Sequence, residues 1–254
     1  MDSYSELASC YDIFMEDVPY DKWLDYVLDV FKRYKVPSEL VLDLGCGTGK
    51  FTRMLADKGY DMIGVDSSVE MLNKAREASK DDKILYLLQD MREFELYGTV
   101  RAIICVCDSI NYLLSDDDIV QTFSLVENYL DKDGIFVFDF NTVYKYEEVI
   151  GDTTIAENSK DYSFIWENIY SKDDRINEYD LTIFSREGEL FRRSSETHFQ
   201  RGYTLNDMKG FLKKANLEFL EARDADTCEK PDAVSERIQV TARCVREKKT
   251  YKED

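Results

Sequence analysis

Two hydrophobic patterns follow one another along the chain, and their order predicts the fold. Near the start, Trp23, Val27, Val30 and Phe31 recur at helical spacing, which predicts a helix over roughly 20–34 that Pro37 closes. Short apolar runs then alternate with amphipathic segments. Val41-Leu42-Asp43-Leu44, Met62-Ile63-Gly64-Val65, residues 84–88, residues 102–107 and Ile135-Phe136-Val137-Phe138 read as five strands. Between them, Phe51, Met54 and Leu55 mark the inward face of a helix that Gly59 caps. Ser67-x-x-Glu70 reads as a capping box opening a helix to Ala78. Ser115, ahead of three aspartates, starts a helix with Ile119, Phe123, Val126 and Leu130 inward. Near-continuous apolar strands separated by helices mark a parallel sheet covered on both faces, so the expected class is doubly wound α/β.

From about Thr153 the period shortens to two. Residues 162–170, 176–185 and 189–199 alternate polar with apolar, predicting an antiparallel β insert after the fifth strand. Helix returns over 204–215, with Thr204-x-x-Asp207 at its start, and two strands around 217–221 and 237–245 complete the sheet. The expected organisation is an N-terminal helical cap (1–36), a sheet domain (37–150 and 203–245), an inserted substrate lid (151–202) and a charged tail (246–254).

Composition narrows the function. A chain of 254 residues, 44% hydrophobic and 13% aromatic, suits one globular domain carrying an insert. Lys+Arg 33 against Asp+Glu 52 gives a net charge of −19, which opposes attraction to phosphate backbones and anionic lipid. Neither nucleic acid nor membrane is an expected partner; monomer and homodimer both stay open. The chain has no 18-residue apolar run, and Met1-Asp2-Ser3-Tyr4-Ser5-Glu6 lacks the character of a signal peptide, so a cytoplasmic protein is expected. Cys10, Cys46, Cys105, Cys107, Cys228 and Cys244 are scattered with no C-x-x-C pair, and there is a single histidine, His198. Reduced thiols and no zinc site are the expectation. Asp116-Asp117-Asp118 reads as an acidic helix N-terminus rather than a metal site.

The chemistry concentrates at Asp43-Leu44-Gly45-Cys46-Gly47-Thr48-Gly49. Glycines at alternate positions after a buried strand let the backbone turn tightly and approach a ligand. A dinucleotide turn would read G-x-G-x-x-G; this one is a residue shorter. Asp66 ends the second strand, where a carboxylate can accept both hydroxyls of a ribose or can cap the next helix. Asp90-Met91 ends the third, an acceptor beside an apolar side chain, as an adenine requires.

Together these residues resemble the class I S-adenosylmethionine-dependent methyltransferases, strongly over about 40–140. The resemblance implies a Rossmann-like seven-stranded sheet with one antiparallel strand among six parallel ones and S-adenosyl-L-methionine across the strand ends. Cofactor contacts are then expected from Asp43, Gly45, Cys46, Gly47, Thr48, Gly49, Asp66, Ser67, Met71, Asp90, Met91, Cys107 and Asp108. Tyr4-x-x-x-Ala8-x-x-Tyr11-Asp12, Tyr20-x-x-Trp23, Cys107-Asp108-Ser109-Ile110-Asn111-Tyr112 and residues 196–203 resemble a narrower group of small bacterial methyltransferases. That group includes the sugar-amine N,N-dimethyltransferases. If the N-terminal helices fold over the cofactor, Tyr11 and Tyr20 would close the site against water; Trp23 is a further candidate contact that also belongs to the apolar stripe.

No Asp/Asn-Pro-Pro-Tyr/Phe follows the fourth strand, which separates the chain from the base-amino methyltransferases of DNA and RNA. No Tyr-x-x-x-Lys pair occurs, which argues against a nicotinamide-dependent oxidoreductase. A non-catalytic S-adenosylmethionine-binding module remains the other alternative. Methyl transfer needs alignment of donor and acceptor, and a base only where the acceptor arrives protonated. His198 is of the type that titrates near neutrality and is a catalytic candidate alongside Tyr11, or else a packed strand residue. Asn111, Arg201 and Tyr203 are candidates for holding substrate; the latter two could instead tie the insert to the sheet. A small-molecule acceptor, methylated on nitrogen rather than oxygen, fits an acidic protein that favours approach of a cationic amine.

Overall fold

The computed structural model describes residues 18–79 and 83–246. Helix α1 (Tyr20–Arg33) leads through β1 (Leu40–Leu44), α2 (Lys50–Asp57), β2 (Asp61–Asp66), α3 (Val69–Ala78), β3 (Leu85–Leu88) and β4 (Val100–Cys105). A 3-10 turn (Ser109–Tyr112), α4 (Asp116–Tyr129) and β5 (Leu130–Asn141) follow. A π-helical turn over Lys145–Ile150 precedes the insert: β6 (Thr154–Asn158), β7 (Tyr162–Ser171), β8 (Ile176–Glu187) and β9 (Leu190–Arg201). Helix α5 (Leu205–Lys214), β10 (Leu217–Asp224) and β11 (Arg237–Cys244) end the described chain.

The main sheet has the order β10-β11-β5-β4-β1-β2-β3. Strand β11 runs antiparallel to both its neighbours, and the other pairings are parallel. This is the mixed seven-stranded Rossmann-like sheet that the methyltransferase resemblance implies. Strand β5 shows why both its faces are apolar. Phe136, Phe138 and Phe140 enter one core with Phe123 of α4 and Phe211 of α5. Ile135 and Val137, at the alternate positions, enter the other with Val27 and Phe31 of α1 and Phe51 and Leu55 of α2. Asp139 continues that second row and is fully buried.

Helix starts follow local chemistry. Thr204 and Asp207 make the reciprocal capping box of α5. Ser115 accepts from the Asp118 amide at the start of α4. The cap of α3 is a correction: Ser68, not Ser67, accepts from the Met71 amide (3.2 Å). Ser67 is exposed.

The insert is a four-stranded antiparallel sheet in the order β6-β7-β8-β9. Its inner face carries a small apolar cluster of Phe164, Leu181 and Ile183, then a polar row with Asn168, Asn177, Tyr179, His198 and Gln200 buried. Strand β6 and the π-helical turn go beyond the elements expected from sequence. Every residue of β6 is exposed, so it has no alternation to read.

Candidate active site

The ends of β1, β2 and β4 and the loops after them enclose a cleft. Tyr20, Asp43, Gly45, Cys46, Gly47, Thr48, Lys50, Phe51, Asp66, Met71, Met91, Val106, Cys107, Ser109 and Tyr112 line it. The amides of Gly45 and Cys46 both donate to the Val65 carbonyl (2.8 and 2.9 Å), which folds the glycine loop over the end of β2. Gly45 has φ +78°, and a Cβ there would lie 2.7 Å from Ser109 Oγ. Gly47 has φ +54°, and a Cβ there would meet nothing within 4 Å. Gly45 is thus required by packing, while Gly47 leaves its face of the cleft bare for a ligand. Gly49 serves a third end: its Cβ would press on the Tyr86 hydroxyl behind the loop.

Two carboxylates supply the polar wall. Asp66 accepts the Gly47 amide on Oδ2 (2.8 Å) and the Ser68 amide on Oδ1 (2.9 Å). Each oxygen keeps a further lone pair. Burial pushes its carboxyl up from the usual range, against those amide bonds. Asp43 accepts from Thr52 Oγ1 on Oδ2 (2.6 Å). Its Oδ1 is buried on the cleft wall with no partner among the described residues. Burial raises its carboxyl to about 7, opposed by Thr52 and reinforced by the charge of Asp66. A buried acceptor without a donor fits a ligand that brings one, such as an ammonium. The orphaned oxygen and the bare face at Gly47 are the features that an amino-acid-bearing nucleoside would fill.

The wall opposite carries Cys107, Ser109 and Tyr112. Cys107 Sγ lies 3.6 Å from Tyr20 Oη, and Lys50 Nζ sits 4.4 Å from the centroid of the Tyr20 ring. Behind Tyr112, its hydroxyl meets that of Tyr179 (2.9 Å) and its ring packs edge-on to His198, centroids 6.1 Å apart. His198 stacks on Tyr179 (5.3 Å), and its Nε2 lies 3.3 Å from Glu196 Oε2.

The structure brings together Tyr20, Asp43, Gly45, Cys46, Gly47, Thr48, Asp66, Met71, Met91 and Cys107 of the expected cofactor set. Trp23 stands one layer back, edge-on to Tyr20 at 5.8 Å and beneath Arg237 at 5.1 Å. Asp90 does not line the cleft: Arg92 Nε and Nη2 bind its two oxygens (2.9 and 2.5 Å), and that pair holds its carboxyl below the usual range. Asp108 is likewise engaged, by Arg237 and Gln200. Tyr11 lies outside the described residues.

The three expected substrate contacts do not line this cleft, and each is engaged within the fold. Asn111 is fully buried; it donates to the Asn141 and Arg201 carbonyls (2.9 and 2.8 Å) and accepts the Asn141 amide (2.8 Å). Arg201 binds the Leu114 carbonyl and Asp116. Tyr203 is buried, its hydroxyl donating to the Leu113 carbonyl. Asn111 and Arg201 fasten the end of β9 to the sheet, and Tyr203 ties down the segment just after it. Sequence reasoning missed Lys50, Phe51, Val106, Ser109 and Tyr112 as cleft residues. The first two follow the glycine loop directly and were open to local inference. Among the described residues no group of His, Cys, Asp and Glu could hold a metal ion, and no helix is long and apolar enough to cross a membrane.

Comparison with known proteins agrees with this geometry. Residues 41–134 match the family described as Methyltransferase domain. The chain is 35% identical over 238 residues to "Putative methyltransferase YqeM" of Bacillus subtilis (strain 168), covering 92% of this chain and 94% of that one. It superposes on the crystal structure of an S-adenosylmethionine-dependent methyltransferase from Clostridium acetobutylicum with a TM-score of 0.87 and 30% identity, over 94% and 98% of the two chains. It is also 28% identical over 144 residues, 54% of each chain, to the dTDP-3-amino-3,6-dideoxy-alpha-D-glucopyranose N,N-dimethyltransferase of Streptomyces fradiae.

Proposed function

From the premise that the chain belongs to the S-adenosylmethionine-dependent methyltransferases, we propose that it methylates a small molecule on nitrogen. The observation that carries this reading is the chemistry beside the cleft. Tyr20 and Tyr112 line the cleft with aromatic rings, and the Glu196–His198 pair lies behind Tyr112. Aromatic faces and a carboxylate favour a cationic amine. The naming of a relative as an amino-sugar N,N-dimethyltransferase supports the same choice.

A bound S-adenosylmethionine would supply an activated sulfonium methyl, whose carbon takes the acceptor's lone pair in line while the C–S electron pair leaves on the sulfur of S-adenosylhomocysteine. In this reading Asp43 Oδ1 accepts from its ammonium, Asp66 from ribose hydroxyls, and Met91 packs against the adenine. An ammonium acceptor has no lone pair and must lose a proton first. His198, beside Glu196 and behind Tyr112, is the base proposed for that step. The inserted sheet covers the acceptor as a lid and sets its identity.

The test is methyl transfer from radiolabelled S-adenosylmethionine to matched pairs of small amines and alcohols. Label is expected in amines alone, with His198→Gln lowering the rate of transfer at least tenfold while S-adenosylhomocysteine affinity stays within threefold. Label in the alcohol of a pair, or in protein or nucleic acid instead, overturns the reading.

A further inference from the structure

Strand β4 ends in a turn that two ordinary residues should resist. Cys107 has φ +63° and Asp108 φ +52°, consecutive non-glycine residues in the left-handed region. That conformation is disfavoured for a residue with a Cβ, most for Cys107, unless its surroundings hold it. Asp139, fully buried on β5, holds both: its Oδ2 accepts the Cys107 amide (3.1 Å) and its Oδ1 the Asp108 amide (2.6 Å). Arg237, from the first position of β11, bridges Asp139 (3.2 Å) and Asp108 (2.5 Å) and lies over the Trp23 ring. Gln200 of the insert closes the network onto Asp108 Oδ2 (2.8 Å). The Asp108 amide and Arg237 occupy Oδ1 and the Cys107 amide binds Oδ2, so both carboxylate oxygens are engaged, and the guanidinium that Asp139 shares with Asp108 offsets part of their charge.

We propose that Asp139 is a positioning residue for methyl transfer, fixing the strained Cys107–Asp108 turn and thereby the cleft wall formed by Cys107, Ser109 and Tyr112. The proposal rests on this cleft being where S-adenosylmethionine binds. Sharing of Arg237 between Asp139 and Asp108 also places the insert, through Gln200, in the same unit as that wall.

The direct test is amide hydrogen exchange on the ligand-free protein. In the wild type the Cys107 and Asp108 amides exchange as slowly as those of β4; exchange at open-loop rates overturns the proposal without any variant. Asp139→Asn places an NH2 where one amide needs an acceptor, and exchange of residues 107 and 108 is expected to rise at least tenfold with β1 unchanged. Calorimetric titration with S-adenosylhomocysteine then links the turn to the site. Asp139→Asn is expected to weaken binding about tenfold, but less than threefold in a Cys107→Gly background, because glycine adopts the left-handed conformation at 107 without support and aspartate tolerates it at 108. Equal losses in both backgrounds overturn the positioning role and leave Asp139 as a buried ion-pair partner. Failure of the wild type to bind S-adenosylhomocysteine while the two amides stay protected overturns instead the cofactor reading on which the role in transfer depends.

Discussion

The two sheets of this protein are built by opposite economies of sequence. The seven-stranded sheet buries both faces: β5 sends Phe136, Phe138 and Phe140 into one core and Ile135 and Val137 into the other. The four-stranded insert has one covered face, an apolar cluster of three buried residues, and an edge strand exposed along its whole length. What holds the insert in place is largely polar: Asn111, Arg201, Tyr203 and Gln200 spend their hydrogen bonds joining it and the segment just after it to the sheet ends. A rigid apolar platform therefore carries the cleft, and a thinner, polar-fastened layer stands beside it. Layers with few buried apolar contacts open at lower free energy than cores.

That contrast is sharpest in stability. Phe138 is fully buried and packs against Phe136 at 4.7 Å and Phe123 at 5.2 Å. Phe138→Ala should cost about 3–5 kcal/mol, against about 2 kcal/mol for Leu181→Ala in the small insert cluster. The chain has two tryptophans, Trp23 on α1 and Trp166 on β7, so each region has its own fluorescent reporter. In urea unfolding of the single-tryptophan forms, Phe138→Ala should lower both transitions, and Leu181→Ala that of Trp166 alone. Coincident shifts in Leu181→Ala would make the two sheets one cooperative unit and end the comparison.

The cleft side of the comparison has a pH signature. Asp43 is held at about 7 by burial, above the ordinary carboxylate value of 3.8. Between those values the folded chain binds a proton that the unfolded chain has lost, so this group's contribution to ligand-free stability falls as pH rises and levels off above about 7. Binding of an ammonium to Oδ1 requires the ionised form. S-adenosylmethionine affinity should therefore fall as pH drops below about 7, by up to tenfold per unit. Asp43→Asn should flatten both trends. Melting temperatures with and without S-adenosylhomocysteine at pH 5.5 and 8 would read the two together, and a pH-independent affinity in the wild type would remove Asp43 from the ammonium site.

The platform was legible in the chain because its signals are local. Alternating apolar runs and helices, three glycines after β1 and an acid at the end of β2 all lie within one or two βα units. The fastening layer was not, because its meaning is settled by distant partners. Asn111, Arg201 and Tyr203 have the chemistry of substrate contacts, yet carbonyls at 113, 114 and 141 claim them. Asp139 did carry a signal: a carboxylate between Phe138 and Phe140 in a buried strand demands a partner. That partner, Arg237, is 98 residues further on, and nothing in the spacing identifies it. Asp90 has a nearer competitor, since Arg92 two positions on binds the carboxylate that was expected to face an adenine.

That competition gives the smallest effect and the finest test of the platform. Arg92 is half exposed and Asp90 partly so, and such an ion pair contributes under about 1 kcal/mol to stability. Arg92→Ala should thus leave the urea midpoint nearly unchanged. If Asp90 accepts from the adenine amine, binding must first loosen its bond to Arg92, so removing that arginine should raise S-adenosylmethionine affinity two- to fivefold. Asp90→Ala should lower it by a comparable factor, and the two substitutions should not add, because the second acts through the residue the first removes. Unchanged affinity in both variants would assign Asp90 and Arg92 to the loop after β3 alone, leaving Met91 as the single contribution of that strand end to the cleft.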